Sequence, residues 1–325
     1  QDFEYVCGGR YDDIPAGSAK DVEKTLLDEF MQRNKGSINQ LVMQFEMKKK
    51  ATLLRKAQVN KTGKLNEDKL WAYKLTEDLF LSSTTVPDGQ NHGMMMFVDF
   101  SGSMGRHMAG TIEQTLIQVA FCKKVGIPFD VYAFTNDYPR NDGTGIAELS
   151  YKKRDGVVQV REFFSMMNIL TSKVKAKELE QQMLHMFRIA NYFSSNWGVP
   201  YSIPLGMYLS GTPLNEALIT LKQIIPQFKT QNNVEKVQCV VLTDGEAPPL
   251  KYHKEFAGRP YAEPYLGVGG LSCNSFIRDR KTGNTYSMEQ DWSNNSRFSH
   301  TDTMLRLLRD RMPSVNFIGI RVLAS

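Results

Sequence analysis

Cysteine is scarce and dispersed. The four residues Cys7, Cys122, Cys239 and Cys273 form no C-x-x-C pair, which argues against a dense disulfide framework and a clustered zinc site. Cys122 falls in a helical pattern and Cys239 in an apolar strand pattern, where a free thiol serves as a small hydrophobe; this usage fits a reducing, cytoplasmic compartment. The five histidines, His92, His107, His185, His253 and His300, are equally scattered and show neither metal-ligand nor triad spacing. No apolar run approaches the ~18–20 residues that span a bilayer, so no membrane segment is expected. The chain starts at Gln1 without a secretory-type apolar stretch, a start that also suits a processed piece of something longer. Missing too are the G-x-x-x-x-G-K-[ST] phosphate loop, the H-E-x-x-H zinc motif and the Gly-x-Ser-x-Gly nucleophile elbow. Neither sign of charge dominates: 40 Lys+Arg against 35 Asp+Glu leaves +5, which permits an acidic partner without demanding nucleic acid.

What remains is a globular composition, with 41% hydrophobic and 23% charged residues over 325 positions. That length accommodates one large domain and an accessory region. Apolar spacing predicts a helix over 18–34, with Ser18 as cap, and a second over 37–50. From Lys48 to Lys64 there are seven basic residues and no acidic one. No aromatic residues interleave with them, so a solvated connector is favoured over a nucleic-acid contact. Asn60 to Gly63 reads as a turn before a short helix over 66–80, and Ser82 to Gly93 as a linker. The division expected is 1–92, a mainly helical accessory region, and 93–325, an α/β domain.

Within that domain, strands are expected at Met94–Val98, Phe129–Phe134, Gln238–Thr243 and Val315–Val322, with a short edge strand at Val157–Arg161. Helices are expected from Met108 to an end at Lys123-Lys124 and Gly126, and over Lys173–Phe193, Leu214–Phe228 and Thr301–Arg311. Strands alternating with helices predict a doubly wound, mostly parallel sheet flanked by helices. Glu246 to His300 reads as a long irregular insertion, with a hairpin about Lys281-Thr282-Gly283. Gly267-Val268-Gly269-Gly270 inside it is rejected as a phosphate loop because no helix follows.

The chemistry concentrates at strand ends. Met94 to Val98 is a buried parallel strand by pattern, and Asp99, Ser101 and Ser103 follow it on a loop that Gly102 lets bend. Two further segments offer oxygens: Thr212, before Pro213 at a helix start, and Asp244, directly after Gln238–Thr243. In open α/β sheets, ligands gather beyond the carboxyl ends of strands where strand order reverses. An all-oxygen set suits a hard divalent cation, Mg²⁺ first, with Mn²⁺ or Ca²⁺ as alternatives. The competing reading makes Ser101 and Ser103 helix caps and the two aspartates solvated strand-end carboxylates.

The pattern Asp99-x-Ser101-x-Ser103, then Thr212, then Asp244 resembles the metal-ion-dependent adhesion site of von Willebrand factor A domains. Adding Thr62–Asn66, Ala133-Phe134-Thr135 and Leu242-Thr243-Asp244-Gly245-Glu246-Ala247-Pro248, the chain resembles the CobT-type cobaltochelatase subunit and its phage-encoded relatives over roughly residues 40 to 320. It departs from them in lacking an acidic tract and in carrying the 246–300 insertion. The resemblance implies a von Willebrand factor A, Rossmann-like fold and an adaptor subunit without catalysis of its own. Its partner would be an AAA+ ATPase of the CobS/MoxR type, with an Asp or Glu from a bound protein as the final metal ligand. It also implies a host-cytoplasmic or virion-associated setting if phage-encoded. The rival reading is a metal-dependent hydrolase of a phosphate-containing substrate, with Glu246 and Asp137 as the nearest general bases by sequence. A third is an adhesion-like structural component of a larger, for example viral, particle.

Overall fold

The computed structural model describes residues 19–56, 58–65, 80–85, 91–136, 153–160, 164–194, 203, 207–245, 247–257, 263–271, 275–288 and 299–322. Residues 66–79 of the helix expected over 66–80, as well as Cys7, Cys273, Asp137 and Glu246, lie outside them, and Phe80 opens a strand instead. A five-stranded sheet forms the centre. It is built from β3 (His92–Asp99), β4 (Phe129–Thr135), β6 (Ser165–Thr171), β7 (Lys236–Thr243) and β12 (Val315–Arg321), in the order β12-β7-β3-β4-β6. Every neighbouring pair is parallel except β4 and β6.

Both faces of β3 are covered, which is why its sequence is continuously apolar rather than alternating. Successive side chains point to opposite faces. Met96 and Val98 enter a cluster with Phe100, Met104 and Met108, while Met95 and Phe97 enter a second cluster with Leu218, Leu221 and Leu307. The first face is packed by helices α1 (Ala19–Lys56), α2 (Met108–Val125) and α3 (Ala176–Ser194); the second by α4 (Leu214–Asn232) and α5 (Ser299–Arg311). Helix α2 ends as its sequence predicts, with Gly126 at φ 72° after Lys123 and Lys124. None of the described helices is long and apolar enough to cross a membrane.

Several expectations are corrected. The two N-terminal helices are one helix of 38 residues, α1, running through Gly36. A glycine weakens a helix by about 1 kcal/mol but leaves every backbone hydrogen bond available. Its Leu27, Phe30 and Ile38 are buried in the first cluster, where Phe30 meets Phe187 at 5.6 Å and Phe45 meets Phe121 at 5.8 Å. The turn at Asn60 to Gly63 is instead part of β1 (Gln58–Leu65), antiparallel to β2 (Phe80–Thr85), with a register shift between Lys61 and Leu65 that absorbs the extra residues. The accessory region is thus helix plus strand pair.

The candidate edge strand Val157–Arg161 reduces to β5 (Val158–Gln159). It joins β8 (Lys251–Phe256) and β9 (Tyr265–Gly270) in a separate antiparallel sheet. The insertion is therefore not simply irregular. Gly267 and Gly269 lie in β9, where they make room for the Phe256 and Tyr252 rings: a Cβ added at either would approach them to 2.8 and 2.9 Å. The expected hairpin is present as β10 (Phe276–Arg278) and β11 (Thr285–Ser287), turning at Gly283 with φ 78°. Helix α4 runs past the expected end, through Pro226, to Asn233 in the left-handed region.

Candidate metal centre

Strand order reverses between β3 and β7. From β3 the chain crosses to β4 on one side, and β7 later adds on the other. The crevice between two such strand ends is where open α/β sheets place ligands. Asp99 closes β3 there, fully buried, and Asp244 follows β7, half-buried. Ser101 and Ser103 enter a short 3₁₀ turn, Gly102–Arg106. Ser101 sits at its N-cap position, yet its hydroxyl makes no capping hydrogen bond and lies 3.3 Å from Ser103 Oγ. The capping alternative therefore fails for Ser101.

A second loop is drawn in by backbone pairing. The Ser210 N–H donates to Phe100 O at 3.2 Å, and the Gly102 N–H donates to Ser210 O at 2.7 Å. Single bridges pair Ser101 with Ser210 and Asn136 with Gly211. The buried Thr135 hydroxyl lies 3.1 Å from both Phe100 O and Tyr208 O, within donating reach of either, and so ties the loops carrying Ser101 and Thr212 to the end of β4. Thr212 follows Gly211 directly and is half-buried, next to Pro213 at the start of α4.

The third strand end is held from two sides. Val322 N–H donates to Thr243 O at 2.9 Å and Arg321 Nε to Asp244 O at 3.2 Å. Gly245 adopts φ 148°, and a Cβ there would approach the Arg321 guanidinium to 3.2 Å. Beyond it, Asn215 Nδ2 donates to Pro248 O at 3.0 Å and the Thr301 hydroxyl donates to Asn215 Oδ1 at 2.8 Å, fixing the chain after Asp244 against α4 and α5. All five predicted residues thus occur on the three segments gathered at this edge.

Electrostatics single out Asp99. Its carboxyl is pushed up to about 7, first by burial and also by the charge of Asp244. The Thr243 hydroxyl and the side chain and backbone of Ser101 act in the opposite direction. Thr243 Oγ1 donates to Asp99 Oδ2 at 2.6 Å, whereas Asp99 Oδ1 is buried without a hydrogen-bond partner among the described residues. A buried carboxylate in that condition is strongly unfavourable unless protonated or joined by a cation. Two carboxylates and three hydroxyls are hard oxygen donors, so the residues present fit a divalent ion such as Mg²⁺. Among the described residues there is no group of three or more His, Cys, Asp or Glu that could hold a metal; the set here needs only two carboxylates. Thr135 and Asn136 end β4 at this edge, where the sequence places Thr135-Asn136-Asp137 beside the site, but neither is among the five candidate ligands; Thr243, which hydrogen-bonds Asp99, is not among them either. Thr243 carried the available signal, as a hydroxyl ending an apolar strand directly before Asp244.

No family model matches the chain, and no curated protein matches it. Among solved structures, the pilus adhesin SpaC from Lactobacillus rhamnosus GG is similar in its open conformation and in a second crystal form. Each is 14% identical with a TM-score of 0.34, covering 71% and 72% of this chain and 24% of the adhesin. The chain therefore spans about a quarter of that protein's length. A likeness at this level carries no functional argument.

Proposed function

We propose that this chain is a divalent-cation-dependent protein-binding module of the von Willebrand factor A type, acting without catalysis of its own as an adaptor subunit for an AAA+ ATPase of the CobS/MoxR type. The observation that carries the metal part is Asp99 Oδ1, a buried, unpartnered carboxylate oxygen at the point where strand order reverses. Asp99, Ser101, Ser103, Thr212 and Asp244 would hold the ion. Bound there, a divalent cation supplies an outward-facing electrophilic position that an Asp or Glu oxygen from another protein can occupy.

The chain's own residues prepare that position. Thr243 orients Asp99, Thr135 fastens the two hydroxyl-bearing loops together, and Arg321 holds the Asp244 backbone. Lys251 and Lys254, exposed on β8, would steer an acidic surface toward this edge while adding little affinity. The ATPase partner is supported by the CobT-like motifs together with the missing phosphate loop.

The test is recovery of partners on the tagged chain from its native cells with Mg²⁺ and ATP, against EDTA and against an Asp244→Ala variant. An AAA+ ATPase retained with Mg²⁺ and lost in both controls is the expected result. Retention that is indifferent to EDTA and to Asp244→Ala would refute metal-bridged recognition.

A further inference from the structure

Asn136 continues β4 by one residue and pairs with Gly211 in an antiparallel bridge. The β3–β4 register, Asp99 opposite Phe134, extends through the Phe100 N–H donating to Phe134 O at 2.9 Å. Ser210-Gly211 then bridges both strand ends, Ser210 to Ser101 and Gly211 to Asn136. Asn136 is only 8% exposed, and its Oδ1 is buried without a hydrogen-bond partner among the described residues. A Cβ at Gly211 would lie 3.5 Å from Asn136 Cβ and 3.6 Å from Nδ2, so the carboxamide runs alongside the residue that precedes Thr212.

A buried amide oxygen without a donor is uncommon in a folded protein and calls for a compensating ligand. Asp99 Oδ1, on the adjacent strand end, is in the same condition. Two buried acceptor oxygens on neighbouring strand ends, neither holding a hydrogen bond among the described residues, describe a place for a cation and the water around it. Loop clamping alone does not account for Asn136, because the backbone bridge to Gly211 does that work and leaves Oδ1 unexplained.

We propose that Asn136 is a further oxygen donor of the cation site, facing the ion directly or through one of its waters; this rests on the metal reading above. An amide carbonyl is a hard, neutral ligand of the kind Mg²⁺ and Ca²⁺ accept. Being neutral, it adds an oxygen without adding to the repulsion between Asp99 and Asp244.

Calorimetric titration with MgCl₂ and thermal melting with and without Mg²⁺ test this on the wild type, Asn136→Ala and Asn136→Asp. Asn136→Ala should bind Mg²⁺ about tenfold more weakly. Its metal-free Tm should be no lower than wild type, because the unsatisfied oxygen is gone. Asn136→Asp should melt earlier without metal, with three carboxylates sharing one edge, and should be rescued by Mg²⁺ with at least tenfold tighter binding. Wild-type Mg²⁺ affinity in both variants, with Tm lowered equally in the presence and absence of metal, would reduce Asn136 to a loop clamp and overturn the proposal. No Mg²⁺ binding by the wild type would instead overturn the metal reading, and this inference with it.

Discussion

The Thr243 hydroxyl donates a 2.6 Å hydrogen bond to Asp99 Oδ2, joining the ends of β7 and β3 inside the protein. Thr243→Val keeps the shape and removes the donor. The variant should lose about 1–3 kcal/mol of stability at pH 8, where Asp99 is charged, and regain most of it in Thr243→Ser. Urea denaturation of the three proteins at that pH measures the difference.

Asp99 also sets a pH dependence. Folded and metal-free, it holds its proton up to about pH 7, against the 3.8 of an ordinary aspartate. Between those values the folded state binds more protons than the unfolded chain, so stability falls as pH rises from about 4 to about 7 and changes little from this group outside that window. The contribution is roughly 4 kcal/mol in total, full at low pH and gone above pH 7. Melting in EDTA across this range should show the decline in the wild type and lack this component in Asp99→Asn. Because protons compete with the ion, added Mg²⁺ should raise Tm more at pH 8 than at pH 5. Identical pH profiles for the two proteins would mean that Asp99 is not the group responsible.

The parts of the molecule legible in the sequence are those where one physical signal dominates. Met94 to Val98 is apolar on both faces and could only be an interior strand, and Gly126 after Lys123-Lys124 marks a helix end. The edge strand β6 was missed because Ser165-Met-Met-Asn-Ile-Leu-Thr171 mixes half-buried and buried positions without clean alternation. A break in α1 was expected at Gly36, but packing of Leu27, Phe30 and Ile38 outweighs one glycine. At the candidate site, residue types single out Asp99, Ser101, Ser103, Thr212 and Asp244, and the fold places all five at one sheet edge. The place of Thr135 and Asn136 beside the site was legible as the end of the second strand, but their partners depend on the pairing of Ser210 and Gly211 with two different strand ends, a long-range relationship that no local spacing encodes.

Gly245 offers a backbone test. At φ 148°, beside the Arg321 guanidinium, an alanine would be both strained and crowded. Gly245→Ala should destabilise the protein by about 1–3 kcal/mol and weaken Mg²⁺ binding by displacing the adjacent Asp244. Parallel melting and Mg²⁺ titration would show both effects together. A stable variant with unchanged affinity would show that this turn does not position Asp244.

With no phosphate loop in its sequence, the purified chain should not hydrolyse ATP by itself, with or without Mg²⁺. A coupled phosphate-release assay measures this. Turnover that disappears in Glu246→Ala would favour a hydrolase over an adaptor.

The most direct test of the account is calorimetric titration of Mg²⁺ into the wild type and Asp99→Ala at pH 8, with circular dichroism confirming that both are folded. The account predicts one binding site per chain in the wild type and no detectable binding in the variant. Equal Mg²⁺ affinity in the two proteins would contradict it.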